Sequence, residues 1–154
     1  MPVDRAVILD ACVLVQAPLR DTLLRLAEHP GLYHPRWSEE IIAEMQRALE
    51  NKIGLAPSKT AYLVRELRRH FPDSWVTGLE PLVRTMTNHA KDRHVLAAAV
   101  RAGVQTIVTF NKSPGPHPAW RGSRSGGVRF VAGIECGAFR YARYHSRQQR
   151  HPVA

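Results

Sequence analysis

Residues 6–15 read Ala6-Val7-Ile8-Leu9-Asp10-Ala11-Cys12-Val13-Leu14-Val15, an apolar run with a single acid near its middle. A short, branched, apolar stretch of this kind is expected to be a buried central strand, with Val7-Ile8-Leu9 at its heart and Asp10 at the carboxyl end of that triplet. The acid also argues against a signal peptide, as does the lack of a small-residue cleavage site after the run.

Outward from this strand, the chain alternates between helical and strand-like patterns. Arg20 to His29 places Leu23, Leu24 and Leu26 at helical spacing, and Pro30-Gly31 ends the segment. Ser38 is a good N-cap, followed by Glu39 and Glu40 where the helix dipole favours acids. The helix it opens carries Ile41, Ile42, Met45, Ala48 and Leu49 on one side and stops near Gly54. Pro57-Ser58 opens a third helix through Leu67, closed before Pro72. Lys91 to Ala102 reads as a fourth, terminated by Gly103. Gln105 to Thr109 is a second buried strand. Strands separated by helices predict an α/β fold with a mostly parallel central sheet.

The 154 residues favour one domain with a sizeable core. No apolar run reaches the roughly 20 residues that span a bilayer. Cys12 and Cys136 form no CxxC pair, so neither a disulfide framework nor a structural zinc site is expected, which suits a reducing cytoplasm. The net charge of +9 makes a polyanionic partner plausible, but its distribution is uneven. Residues 113–154 carry seven arginines and one acid, Glu135, whereas residues 1–112 carry 15 Lys+Arg against 12 Asp+Glu. The body is therefore only mildly basic, and most of the excess lies in the tail.

That tail begins a different kind of sequence. Ten of the fifteen residues from Ser113 to Gly127 are Pro, Gly or Ser, which breaks regular structure. The chain therefore divides into a core over 1–112 and a divergent basic segment over 113–154. In the latter, Val128 to Val131 is a candidate last edge strand, and the arginine-rich stretch after Phe139 has no clear periodicity.

In open α/β sheets, functional groups gather beyond the carboxyl ends of the strands. Asp10 and Thr109-Phe110-Asn111 stand at two such ends. Asp92 lies in the first turn of its helix, three and four residues before the apolar Val95 and Leu96. Glu44 lies at the margin of its helix's apolar face. Three carboxylates in one pocket repel one another unless a cation lies between them. Hard, oxygen-preferring Mg²⁺ or Mn²⁺ would relieve that repulsion and stabilise charge on a phosphodiester. Each residue also has a plainer reading: Asp10 as a turn residue, Asp92 as a dipole-favoured first-turn acid, Glu44 as a solvated helix residue and Asn111 as a loop residue. His94 reads as a partly buried structural histidine and Cys12 as a small core residue.

The same residues resemble a known family. Val7-Ile8-Leu9-Asp10-Ala11-Cys12-Val13-Leu14 is similar to the opening strand of PIN-domain nucleases, and Pro35 to Ile41 followed by Glu44 to the segment bearing their second acid. Lys91-Asp92-Arg93-His94-Val95-Leu96-Ala97-Ala98-Ala99-Val100 and Ile107-Val108-Thr109-Phe110-Asn111 resemble the third-acid helix and the strand after it. The resemblance runs from about Ala6 to Lys112. It implies a three-layer α/β/α fold and Mg²⁺- or Mn²⁺-dependent endoribonuclease activity of the toxin type. It also implies a cognate antitoxin and a homodimer. Asp10, Glu44 and Asp92 would be metal ligands, Asn111 a further catalytic residue, and Thr109 and Arg93 substrate-binding residues.

The departure comes at the end of that span. Relatives continue with an aspartate and a phenylalanine, whereas here Lys112-Ser113-Pro114-Gly115-Pro116 follows, with no acid until Glu135. A missing fourth acid favours a second reading, a catalytically impaired PIN-like domain that binds RNA or a partner protein. A natural basic tail and a shifted reading frame both account for the change.

Overall fold

The apolar run that opens the chain divides at Asp10. In this computed structural model, which describes residues 5–86 and 90–110 and the backbone of 129–132, strand β1 is Ala6–Leu9 and helix α1 is Ala11–Val15. The expectation of one strand over the whole run is corrected. Asp10 takes an extended backbone as the N-cap of α1, and its side chain accepts the Ala11 N–H. Both halves are apolar because both are buried, and a short apolar run does not by its period separate a strand from a buried helix.

Helix α2 (Ala17–Glu28) starts three residues earlier than the leucine spacing implies, because Pro18 suits the first helical turn. Arg20, on its first turn, donates to the Leu14 carbonyl near the end of α1 at 2.6 Å, satisfying a group that the short helix leaves unpaired. Helix α3 (Glu39–Asn51) begins as expected, with Ser38 Oγ accepting the Ile41 N–H at 3.2 Å. Helix α4 is Pro57–His70 and helix α5 is Glu80–Thr85. A 3₁₀ turn over Ala90–Asp92 leads into helix α6 (Arg93–Ala102). Gly103 closes α6 with φ 65°, and the Val104 N–H returns to the Ala99 carbonyl at 2.9 Å.

Among the described residues the sheet has five strands, all paired in parallel. To β1 are added β2 (His34–Ser38), β3 (Trp75–Val76), β4 (Thr106–Thr109) and β5 (Arg129–Ala132), in spatial order β3-β2-β1-β4-β5. Helices flank it, giving the expected α/β/α class. β2, β3 and α5 carry no recognisable sequence signal. β2 contains Pro35 and Arg36, and β3 is only two residues long. Pro35 is tolerated near the start of β2, because β3 pairs with β2 only at Trp37 and Ser38. β5 falls one residue later than expected, at the sheet edge beside β4.

The core joins both sides of β1. Ile8, Leu9, Trp37, Ile41, Met45 and Ile107 are fully enclosed. Ala97, Ala98 and Ala99 are enclosed as well, and their small side chains let α6 lie close against β1 and β2. None of the described helices is long and apolar enough to cross a membrane.

Candidate active site

The strand order decides where a site can form. From β1 the chain moves outward through β2 to β3, then returns past β1 to β4 and β5. The direction of winding therefore reverses between β1 and β4, and the carboxyl ends of that strand pair are where open α/β sheets place ligands. Asp10 follows β1 directly and Thr109 is the last residue of β4.

The two meet. Thr109 Oγ1 donates to Asp10 Oδ2 at 2.7 Å, the Ala11 N–H donates to Asp10 Oδ1 at 2.7 Å, and the Asp10 N–H donates to the Val108 carbonyl at 3.0 Å. Asp10 is buried, with 7% of its surface exposed. It is a carboxylate held at both oxygens.

Cys12 departs from its expected role. It is half-buried, and its sulfur sits in a polar cluster. Sγ lies 3.3 Å from Asp10 Oδ2 and 3.4 Å from Thr109 Oγ1, and it accepts the Phe110 N–H at 3.2 Å. Burial, and then the charge of Asp10, push its pKa from 9.0 up to about 11. Its thiol therefore stays protonated at neutral pH and is no nucleophile.

Glu44 projects from α3 toward the start of α6. Its Oε2 lies 3.3 Å from His94 Nε2, within ion-pair distance, although the imidazole nitrogen is not aligned for a hydrogen bond. Sequence reasoning missed this pair, because nothing local links positions 44 and 94. Asp92 is half-buried at the junction of the 3₁₀ turn and α6, two residues from His94. Its place is one step before the helix and not within the first turn. Arg93 is half-buried on the first residue of α6. Asn111 lies outside the described residues.

Among the described residues, no group of three or more His, Cys, Asp or Glu side chains is close enough together to hold a metal ion. The geometry therefore links Asp10 to Thr109 and Cys12, and Glu44 to His94, without bringing the three expected acids into one cage. The donor chemistry nevertheless fits a hard divalent cation. Mg²⁺ needs only one or two carboxylates and keeps several waters, and Asp10 is already oriented. A cavity of about 480 Å³ lies at the other end of the strands, where His34, Pro35 and Arg36 of β2 face Pro72 and Asp73. It is remote from Asp10.

Residues 6–113 match the model of the PIN domain family. The chain belongs to the PIN domain family. The matched span runs from the first residue of β1 past the end of β4, and so includes Asp10, Glu44, Asp92, Thr109 and Asn111. This PIN domain is also similar to VapC50 of Mycobacterium tuberculosis (strain ATCC 25618 / H37Rv), a protein provisionally designated a ribonuclease. The identity is 52% over 42 residues, or 27% of this chain and 25% of that protein. The aligned part is thus about a quarter of the relative's length.

Proposed function

We propose that this PIN domain is a divalent-metal-dependent endoribonuclease of the toxin type, with Asp10 as the centre of its active site. The observation that carries this reading is the Asp10 carboxylate, buried at the point where the sheet's winding reverses and held by the Ala11 N–H and the Thr109 hydroxyl. Membership of the PIN family and the partial likeness to VapC50 support the choice of RNA as substrate.

Asp10, Glu44 and Asp92 are the residues that would hold Mg²⁺ or Mn²⁺. Such an ion, when bound, supplies the charge that activates water and stabilises in-line displacement at phosphorus. The chain's own contribution is orientation. Thr109 keeps Asp10 Oδ2 turned toward the β1–β4 seam, and Glu44 lies beside His94 at the start of α6. Asn111, just past β4, is proposed to orient water, and Arg93 to meet a phosphate oxygen. The arginines after residue 132 add sequence-independent attraction to RNA. A cognate antitoxin and a second copy of the chain are the protein partners that this reading carries, with the cytoplasm as its place of action.

A second reading, an RNA- or partner-binding PIN domain without catalysis, is favoured by two observations. The described residues hold no three-ligand group, and the sequence has no acid between Asp92 and Glu135. Incubating purified protein and its Asp10→Asn variant with a mixed RNA pool and Mg²⁺, Mn²⁺ or EDTA separates the two. Metal-dependent cleavage that falls to background in a folded Asp10→Asn protein is expected. No cleavage by the folded wild type would overturn the nuclease reading, and RNA retained by that protein in a filter-binding assay would support the binding reading in its place.

A further inference from the structure

We infer that Cys12 is a positioning residue for Asp10, tying the backbone just beyond β4 to the carboxylate at the end of β1. The inference rests on the reading of Asp10 as the central active-site acid and names the group that keeps it in place.

The hydrogens can be counted. The Phe110 N–H is donated to Cys12 Sγ, and the Thr109 hydroxyl to Asp10 Oδ2. The thiol has a single proton and two acceptors in reach, Asp10 Oδ2 at 3.3 Å and Thr109 Oγ1 at 3.4 Å. If the proton goes to Oδ2, that oxygen accepts two bonds. If it goes to Thr109, a chain forms from Phe110 through sulfur and hydroxyl to Oδ2. Both arrangements end on the same carboxylate oxygen. The Ala11 N–H occupies Oδ1, so the described residues use at most three of the roughly four acceptor sites of a carboxylate. The carboxylate itself has a set direction, because turning it breaks contacts at both oxygens. A directed single acceptor suits one-point attachment to a hard cation.

A thiol that only fills space makes the opposite prediction, and two substitutions separate the cases. Cys12→Val keeps the bulk and removes the hydrogen bonding. Cys12→Ser keeps a donor and acceptor but is smaller. Binding of Mn²⁺ to metal-free full-length protein is measured from the electron paramagnetic resonance signal of the free ion. Cleavage is resolved into kcat and KM, and melting temperature is followed alongside. Cys12→Val is expected to weaken Mn²⁺ binding by about tenfold or more, the usual effect of removing a group that orients a metal ligand. It should lower kcat with little change in KM, and Cys12→Ser should restore most of both. Wild-type Mn²⁺ binding in Cys12→Val, or failure of Cys12→Ser to improve on it, overturns the inference.

Should Cys12→Val not fold, amide hydrogen exchange in the wild type still decides. The Phe110 N–H is expected to be protected, and exchange at the rate of an open loop amide overturns the inference. Asp10→Asn separates the two levels of argument. Undiminished cleavage in that variant removes the active-site reading itself, whereas an inactive Asp10→Asn beside an unaffected Cys12 series removes only the role of Cys12.

Discussion

Thr109 Oγ1 lies 2.7 Å from Asp10 Oδ2, a hydrogen bond between residues 99 positions apart in the chain. It closes the seam between the two strands where the sheet changes its winding direction, beside the backbone bond from the Asp10 N–H to Val108. A buried carboxylate is costly unless its oxygens are satisfied. Here the groups that satisfy it come from the end of β4 and the start of α1, which frame the candidate site, so the same bonds serve stability and orientation.

Thr109→Val removes the shortest side-chain donor to Asp10 while preserving the branched shape. Leaving a buried oxygen short of its partner costs about 1–3 kcal/mol. Urea unfolding is expected to show a lowered midpoint with an unchanged slope. Thr109→Ser, which retains the hydroxyl, should recover most of the loss. Equal stability of Thr109→Val and wild type would mean that the bond contributes nothing.

Trp37 is fully enclosed and meets Phe71 and Trp75 edge to face, with ring centroids 5.7 and 6.1 Å away. Its indole N–H is buried and has no hydrogen-bond partner among the described residues. Trp37→Ala should destabilise by about 3–5 kcal/mol through lost burial and a cavity. Trp37→Phe should cost far less, since it retains an aromatic ring and removes the unpaired donor. Similar losses in both variants would show that the indole's bulk alone matters.

The raised pKa of Cys12 predicts slow alkylation. A shift from 9.0 to about 11 reduces the thiolate population about 100-fold at pH 8. Iodoacetamide labelling followed by peptide mass spectrometry, which reads Cys12 apart from Cys136, should show native Cys12 reacting at least that much more slowly than in urea. Comparable rates in the two states would contradict the buried, protonated thiol.

The basic tail predicts a salt effect. Replacing Arg140, Arg143, Arg147 and Arg150 with Gln in the full chain should flatten the dependence of RNA affinity on salt. Each arginine that meets a phosphate contributes about 0.7 to the logarithmic slope for single-stranded RNA. An unchanged slope would remove the tail from the RNA interface.

Much of the fold is legible locally. Ser38, Pro57 and Gly103 mark helix ends through bonds and dihedrals confined to a few neighbouring residues, so α3, α4 and the end of α6 follow from sequence. β2 and β3 are not legible in this way. A proline and an arginine disguise the first, and two residues are too few for any period in the second. Cys12 was hidden too, because a small, half-buried residue looks the same whether its neighbours are apolar or polar.

The sequence by itself determined the class of the fold, the order of its clear strands and helices, and which acids stand at element ends. These depend on periodicity and capping, which act over one or two turns. Only the tertiary structure decided the spatial order β3-β2-β1-β4-β5, and with it that Asp10 meets Thr109 and Cys12 while Glu44 faces His94. Parallel strands pair through long crossovers, so their neighbours are chosen by how whole helices pack on the sheet and not by the residues beside them.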